Sequence, residues 1–175
     1  PSLRHKKQLF ELEPSETFIM KVTIIAVGTK MDRWIKNGCQ NYINRLPKKW
    51  ELRIIEIVQK NYQSNQSSKR AIELECETIM KKIDRSSYVV ALDSRGESLT
   101  SSFLSKRISR WQMEGLNLTF VIGGPDGLSK EFLNECDFVW SMSDLTFPHP
   151  LVRVILLEQL YRAWTITTNH PYHRS

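Results

Sequence analysis

The sequence predicts an α/β, single-domain protein with a mostly parallel sheet and helices on both faces. Three observations carry that prediction. Short runs rich in β-branched residues alternate with amphipathic stretches from Lys21 onward, which is the pattern of repeated βαβ units. The chain's 175 residues suit one domain and can bury a real core. Clusters of glycine, aspartate and proline fall where three of the strand-like runs stop, the edge at which open parallel sheets bind ligands.

The first strand is predicted over residues 21–27, closed by Gly28. Residues 32–46 have a helical period that offers Trp34, Ile35, Tyr42 and Ile43 for burial, and they stop before Pro47. Residues 51–58 alternate Leu52, Ile54 and Ile57 with charges, as a second strand would. The polar, aperiodic stretch 61–68, NYQSNQSS, predicts a mobile loop. Helical spacing returns over 69–83 through Ile72, Leu74, Ile79 and Ile83. A third strand is expected at 88–92, a helix over 101–114, and a fourth strand over 116–122 that runs into GGPDG. Ser129 is placed to cap a short helix with Glu131 in its first turn, where the dipole favours an anion. Residues 138–142 make a short fifth strand, and 150–165 a last helix with Pro150 at its start. That helix, LVRVILLEQLYRAW, is apolar almost all round. A sheet covers one side of it, and a homodimer contact is the expected cover for another.

Hydrophobic residues at 41% and charged residues at 25% are ordinary for a soluble globular chain. No apolar run reaches the length of a membrane-spanning helix. The net charge of +6 favours polyanionic partners. Three widely spaced cysteines make neither a disulfide framework nor a CxxC metal site, and they fit a reducing, cytoplasmic setting. Residues 1–19 show no sustained period and are expected to be a non-native extension in front of a domain spanning 20–175. That extension holds three basic and three acidic residues, so the positive charge belongs to the domain.

Three strand ends carry the candidate chemistry: Leu92-Asp93-Ser94-Arg95-Gly96, Gly123-Gly124-Pro125-Asp126-Gly127, and the run from Ser143 through Phe147 to Pro150. GGPDG lets a backbone approach a ligand closely, or it is simply a tight turn. It is neither a Walker A loop nor a dinucleotide fingerprint. Asp93 is able to accept a proton or a ligand hydroxyl, or is a solvated turn residue. His149 and Arg153 stand one helical turn apart, where arginine and free amides suit a phosphate or carboxylate; the alternatives are a surface or dimer-interface arginine and a buried structural histidine. Glu158 and Arg162 have the order of a structural i,i+4 pair. His170 and His173 have no nearby Cys, Asp or Glu to complete a zinc site, so no metal is expected.

The strings AVGTK, LDSRGE, FVIGGPDGLS, SDLTFPHPLVRVILLEQLYRAW and NHPYHR, in this order, resemble the bacterial RlmH-type methyltransferases of 23S ribosomal RNA, small members of the SPOUT superfamily. The resemblance covers residues 20–175. It implies a C-terminal trefoil knot, a homodimer, and S-adenosylmethionine held by Leu92, Gly123, Met142, Ser143, Asp144, Leu145, Thr146 and Phe147. It implies methylation of ring nitrogen 3 of a pseudouridine in the helix 69 stem-loop, within the assembled 70S ribosome. That reaction needs no metal and no membrane. It needs alignment of nitrogen, methyl and sulfur, and a donor or cation near a carbonyl oxygen of the base. Candidates are His149, Arg153, Tyr172, His173 and Arg174, with no unique base assigned. Other readings of the same residues are a methyltransferase of another RNA, such as tRNA, and a non-catalytic ribosome-binding module.

Overall fold

Five strands form one sheet in the order β2-β1-β4-β3-β5, and every neighbouring pair is parallel. They are β1 (Val22–Val27), β2 (Arg53–Ile57), β3 (Tyr88–Ser98), β4 (Leu118–Ile122) and β5 (Phe138–Ser141). The helices between and after them are α1 (Arg33–Ile43), α2 (Asn65–Lys82), α3 (Ser101–Met113), α4 (Lys130–Glu135) and α5 (His149–Thr167). These elements come from a computed structural model that describes residues 19–60 and 65–173.

Strand alternation sorts the core into two layers. Ile24, Ala26, Phe120 and Ile122 point to the face covered by α1, α3 and α5, where they meet Ile35, Ile108, Leu156 and Leu160. Ile25, Val27, Ala91 and Val121 point the other way, onto Cys76 and Ile79 of α2 and Phe132 of α4. Leu156, Leu157 and Leu160 are fully buried, each contributing roughly 2 kcal/mol by removal from water. The apolar circumference of α5 has a local explanation. The sheet lies beneath it, and α1 and α3 both pack along it. Leu151, Val154 and Ile155 nevertheless remain half-buried.

Four details differ from the sequence-based expectation. α2 begins at Asn65, so half of NYQSNQSS is helical, and residues 61–64 lie outside the described residues. β3 does not stop at Leu92: after an irregularity both Leu92 and Glu97 lie opposite Trp140, and the strand ends at Ser98. A Cβ on Gly96 would sit 2.5 Å from the Val139 carbonyl oxygen, so only glycine lets the returning chain lie against β5. Trp34 is exposed rather than buried, and on α2 it is Glu75, not Leu74, that is buried. Ser129 caps α4 as expected, its hydroxyl accepting the Phe132 N–H at 3.1 Å.

Candidate active site at the carboxyl edge of the sheet

A cavity of about 250 Å³ opens at the irregularity after Leu92 in β3 and at the carboxyl ends of β4 and β5. Leu92, Gly123, Met142, Ser143, Asp144, Leu145, Thr146 and Phe147 all line it, together with His149 from the first turn of α5. Three segments far apart in sequence thus converge because parallel strands deliver their carboxyl ends to one edge. Ile122, Trp140 and Ser141 also line the cavity and were not anticipated. They are the last one or two residues of β4 and β5, positions that a strand-end search limited to loops passes over.

GGPDG is a tight turn that also walls the cavity. The Gly127 N–H donates to the Gly124 carbonyl at 3.0 Å, and Gly127 takes φ +78°. A Cβ on Gly123 would lie 2.9 Å from the carbonyl group of Gly127, so the wall is bare backbone. We expect Gly123→Ala to weaken binding of S-adenosylmethionine by tenfold or more while the protein stays folded. Calorimetry paired with circular dichroism measures both, and unchanged affinity would remove Gly123 from the site.

The loop after β5 is held by its own serines. The Leu145 N–H donates to the Ser143 hydroxyl at 2.9 Å, and the Ser141 hydroxyl donates to the Ser143 carbonyl at 3.3 Å. Asp93 is already committed. Arg95 holds both its oxygens, at 2.7 and 2.8 Å, and also reaches the Leu128 carbonyl at 2.8 Å. Burial opposes ionisation of Asp93, but hydrogen bonds from the Arg95 side chain and backbone, and its charge, hold the pKa below the ordinary range. The Asp93–Arg95 pair therefore fastens the β3 segment to the glycine loop, and a proton-accepting role loses ground.

His149 and Arg153 converge on Gly28 at the end of β1. A Cβ built there would be 3.5 Å from His149 Nε2 and 3.4 Å from Arg153 Nη2. Their surroundings differ. His149 lines the cavity, and burial first, then the Arg153 charge, lowers its pKa. Arg153 does not line it. Its guanidinium donates to Glu56 Oε2 at 2.9 Å and to the carbonyls of Gly28 at 2.6 Å and Val27 at 3.3 Å. It is 3% exposed. That is the position of a clamp between α5, β1 and β2.

The sign for His149 follows directly. A folded pKa below the unfolded value of about 6.5 means the unfolded chain binds more protons as pH falls. The stability associated with a neutral His149 is therefore complete above the unfolded value and is lost as pH falls through the folded one. An NMR titration of the ring should give a midpoint below that of a free histidine. A midpoint above it would mean that a carboxylate of the cavity wall, Asp93 or Asp144, outweighs burial and the Arg153 charge.

Glu75 is a buried carboxylate beneath the same edge. Its Oε1 accepts the Lys60 N–H at 2.7 Å, and its Oε2 lies 3.4 Å from where a Gly124 Cβ would be. Burial is the main cause of its raised pKa, with the Asp126 charge adding to it. A glutamate among charged neighbours in ELECE carries no sequence signal for burial.

The tail folds back, but not over this cavity. Asn169 takes φ +53° and the His170 N–H donates to the Thr165 carbonyl at 2.9 Å, turning the chain at the helix end. Tyr172 then stacks edge-on against Tyr161 at 4.6 Å, and its hydroxyl donates to Glu158 at 3.2 Å. Glu158 also pairs with Arg162 at 2.7 Å. Burial, the Tyr42 hydroxyl and the Glu158 carboxylate keep the Tyr172 phenol protonated well above the usual range. Nδ1 of His173 is buried with no hydrogen-bond partner among the described residues, and Arg174 lies outside them. Twelve residues separate His149 from Tyr161, about 18 Å along a helix. The tail and the cavity of one chain thus occupy opposite halves of α5.

A family profile described as "Predicted SPOUT methyltransferase" matches residues 20–173. The chain belongs to the SPOUT methyltransferase family. A ribosomal RNA large subunit methyltransferase H from Saccharophagus degradans is 45% identical over 155 residues, covering 89% of this chain and 100% of that protein. Its counterpart from Teredinibacter turnerae is 46% identical over 158 residues, with the same coverage. Among solved structures, a probable methylase family protein from Haemophilus influenzae Rd KW20 aligns with a TM-score of 0.56 at 12% identity, over 90% of this chain and 72% of that one. TrmJ from Z. mobilis ZM4 aligns at 0.52 and 11%, over 82% and 70%. The two structural likenesses establish a SPOUT-like fold. As a SPOUT methyltransferase, the chain has its conspicuous strand-end strings gathered around one cavity.

Proposed function

We propose that this chain is an S-adenosylmethionine-dependent methyltransferase of large-subunit ribosomal RNA. Its target is ring nitrogen 3 of a pseudouridine in the helix 69 stem-loop of 23S RNA, in the assembled ribosome. One observation carries the proposal: Leu92, Gly123 and the loop from Met142 to Phe147 line a single cavity beside His149. The named relatives, matched over their whole length, point to the same substrate class.

The cavity suits the cofactor in kind. Gly123 and Gly124 offer bare backbone, Leu92, Ile122 and Phe147 an apolar surface, and the loop after β5 polar groups. When bound, S-adenosylmethionine supplies an electrophilic methyl group on its sulfonium. The protein must then orient the imide nitrogen and favour the deprotonated base. His149, with its lowered pKa, is a neutral acceptor at the cavity wall. Tyr172, His173 and Arg174 serve the base and its phosphate from the tail of a second copy, because their own chain holds the described part of the tail at the far half of α5. Arg153 acts by holding β1, β2 and α5 together.

A homodimer and a C-terminal trefoil knot belong to this reading, the dimer supported by the half-buried Leu151, Val154 and Ile155. A ribosomal substrate also sets the site of action in the cytoplasm, and no described helix is long and apolar enough to cross a membrane. The test is mass spectrometry of 23S RNA from a deletion strain with and without this chain. One methyl group should disappear and return. Labelled-cofactor assays on 70S ribosomes and on tRNA separate this substrate from the alternative, since methylation of tRNA alone would replace the ribosomal reading.

A further inference from the structure

We infer that Trp34, with Lys30 and Arg33 beside it, is a platform on which an unpaired base of the substrate loop stacks while a neighbouring nucleotide enters the cavity. The inference rests on the RNA substrate proposed above. Trp34 lies in the first turn of α1 and is 59% exposed, while Ile35 and Cys39 take the buried face of that helix. A single exposed aromatic ring is ordinary on a protein surface, as Phe103 at 59% shows, so the weight of Trp34 comes from its position and the charge around it.

Position is the first such feature. The chain between β1 and α1 passes close behind one wall of the cavity without lining it: the Cβ position of Gly28 is 2.9 Å from Met31 Cε and 3.5 Å from Nε2 of His149, which lines the cavity. Trp34 is three residues beyond Met31, at the start of the helix that leaves this wall. Charge is the second. Lys30, Arg33 and Lys36 are exposed, and none forms an ion pair with another described residue.

The chemistry fits a single-stranded loop. An aromatic face stacks on any base, and flanking cations meet the phosphates on either side. A second copy of the chain is the other occupant to consider. The neighbours of Trp34 in sequence, Asp32, Arg33, Lys36 and Asn37, are all exposed and polar, which suits a nucleic acid better than the apolar centre of a homodimer.

The experiment compares wild type, Trp34→Ala, Trp34→Phe, Trp34→Leu and the Lys30→Gln/Arg33→Gln pair on ribosomes from a strain lacking the methyl group. Trp34→Ala should raise KM for ribosomes on the order of 10- to 100-fold, the range set by stacking of one base. Its kcat, cofactor affinity and elution volume should stay those of wild type. Phenylalanine should recover most of the loss and leucine little, a distinction that requires a ring rather than mere apolarity. The paired glutamine variant should flatten the salt dependence of KM, each lost phosphate contact removing about 0.7 from the logarithmic slope. Wild-type KM in Trp34→Ala beside an active wild-type enzyme overturns the platform alone, as does dissociation of Trp34→Ala into monomers. A wild-type protein that methylates no ribosomal RNA overturns the RNA reading and the platform together.

Discussion

Ending the chain after Asn169 should abolish methylation, by about a thousandfold or more, while leaving a folded protein that still binds S-adenosylmethionine. Donors aimed at developing charge and positioned acid–base groups each contribute factors of about 10² to 10³, and the cut removes Tyr172, His173 and Arg174 together. The cavity keeps its whole described lining, because neither Tyr172 nor His173 borders it within the chain. Some stability is lost as well. The stacked Tyr172 ring and its bond to Glu158 disappear, costing about 1–3 kcal/mol. Melting should therefore fall by roughly 2–10 °C, and circular dichroism at assay temperature separates loss of function from loss of fold. Mixed dimers decide whether the tail acts across the interface. A truncated subunit paired with a full-length Gly123→Ala subunit should regain activity, since one supplies the cavity and the other the tail. Wild-type turnover by the truncated protein would refute the active-site role of the tail.

Arg153→Leu should destabilise the fold by about 3 kcal/mol, within the range for breaking one side of a buried ion pair. The substitution removes the Arg153 donors from the carbonyls of Val27 and Gly28, and it frees Glu56 near the end of β2. Glu56 is 37% exposed, so water takes back part of its charge and the cost stays below that of a fully buried pair. A fall in melting temperature near 10 °C is expected from the size of the chain. Arg153→Lys should recover only part, because one ammonium cannot bond a carboxylate and two carbonyls with a fork's geometry. Activity should follow the folded fraction. A variant with wild-type melting and a collapsed kcat would return Arg153 to the reacting atoms.

These expectations show which features were visible as letters. The strand runs, the helix starts at Ser101 and Lys130, the capping Ser129 and the strand-end strings were legible because each is a local pattern. Periodicity and turn chemistry act over a few residues, and the parallel sheet then carries their consequences to one edge. Trp34 and Glu75 were not legible. Helical spacing says that a face exists but not what covers it, so the period placed Trp34 inside and passed over Glu75. The return of β3 along β5 was hidden for a similar reason: Gly96 looks like any turn glycine until Val139 lies against it.

The same contrast divides the candidate site. Local sequence was enough to mark an α/β chain and the strand ends that border the cavity, and the ordered strings were enough to mark the family, while Ile122, Trp140 and Ser141 of the lining stayed hidden. Folding over long separations set the partners of the individual side chains. Arg153 reads as a phosphate ligand one turn from His149, yet it bonds Gly28, 125 positions away. NHPYHR reads as one functional string, yet its Tyr172 rests on Glu158 and Tyr161 at the far half of α5. Side-chain chemistry is written residue by residue, whereas the partner that a guanidinium or a phenol meets is set by which distant backbone the sheet and helices bring against it.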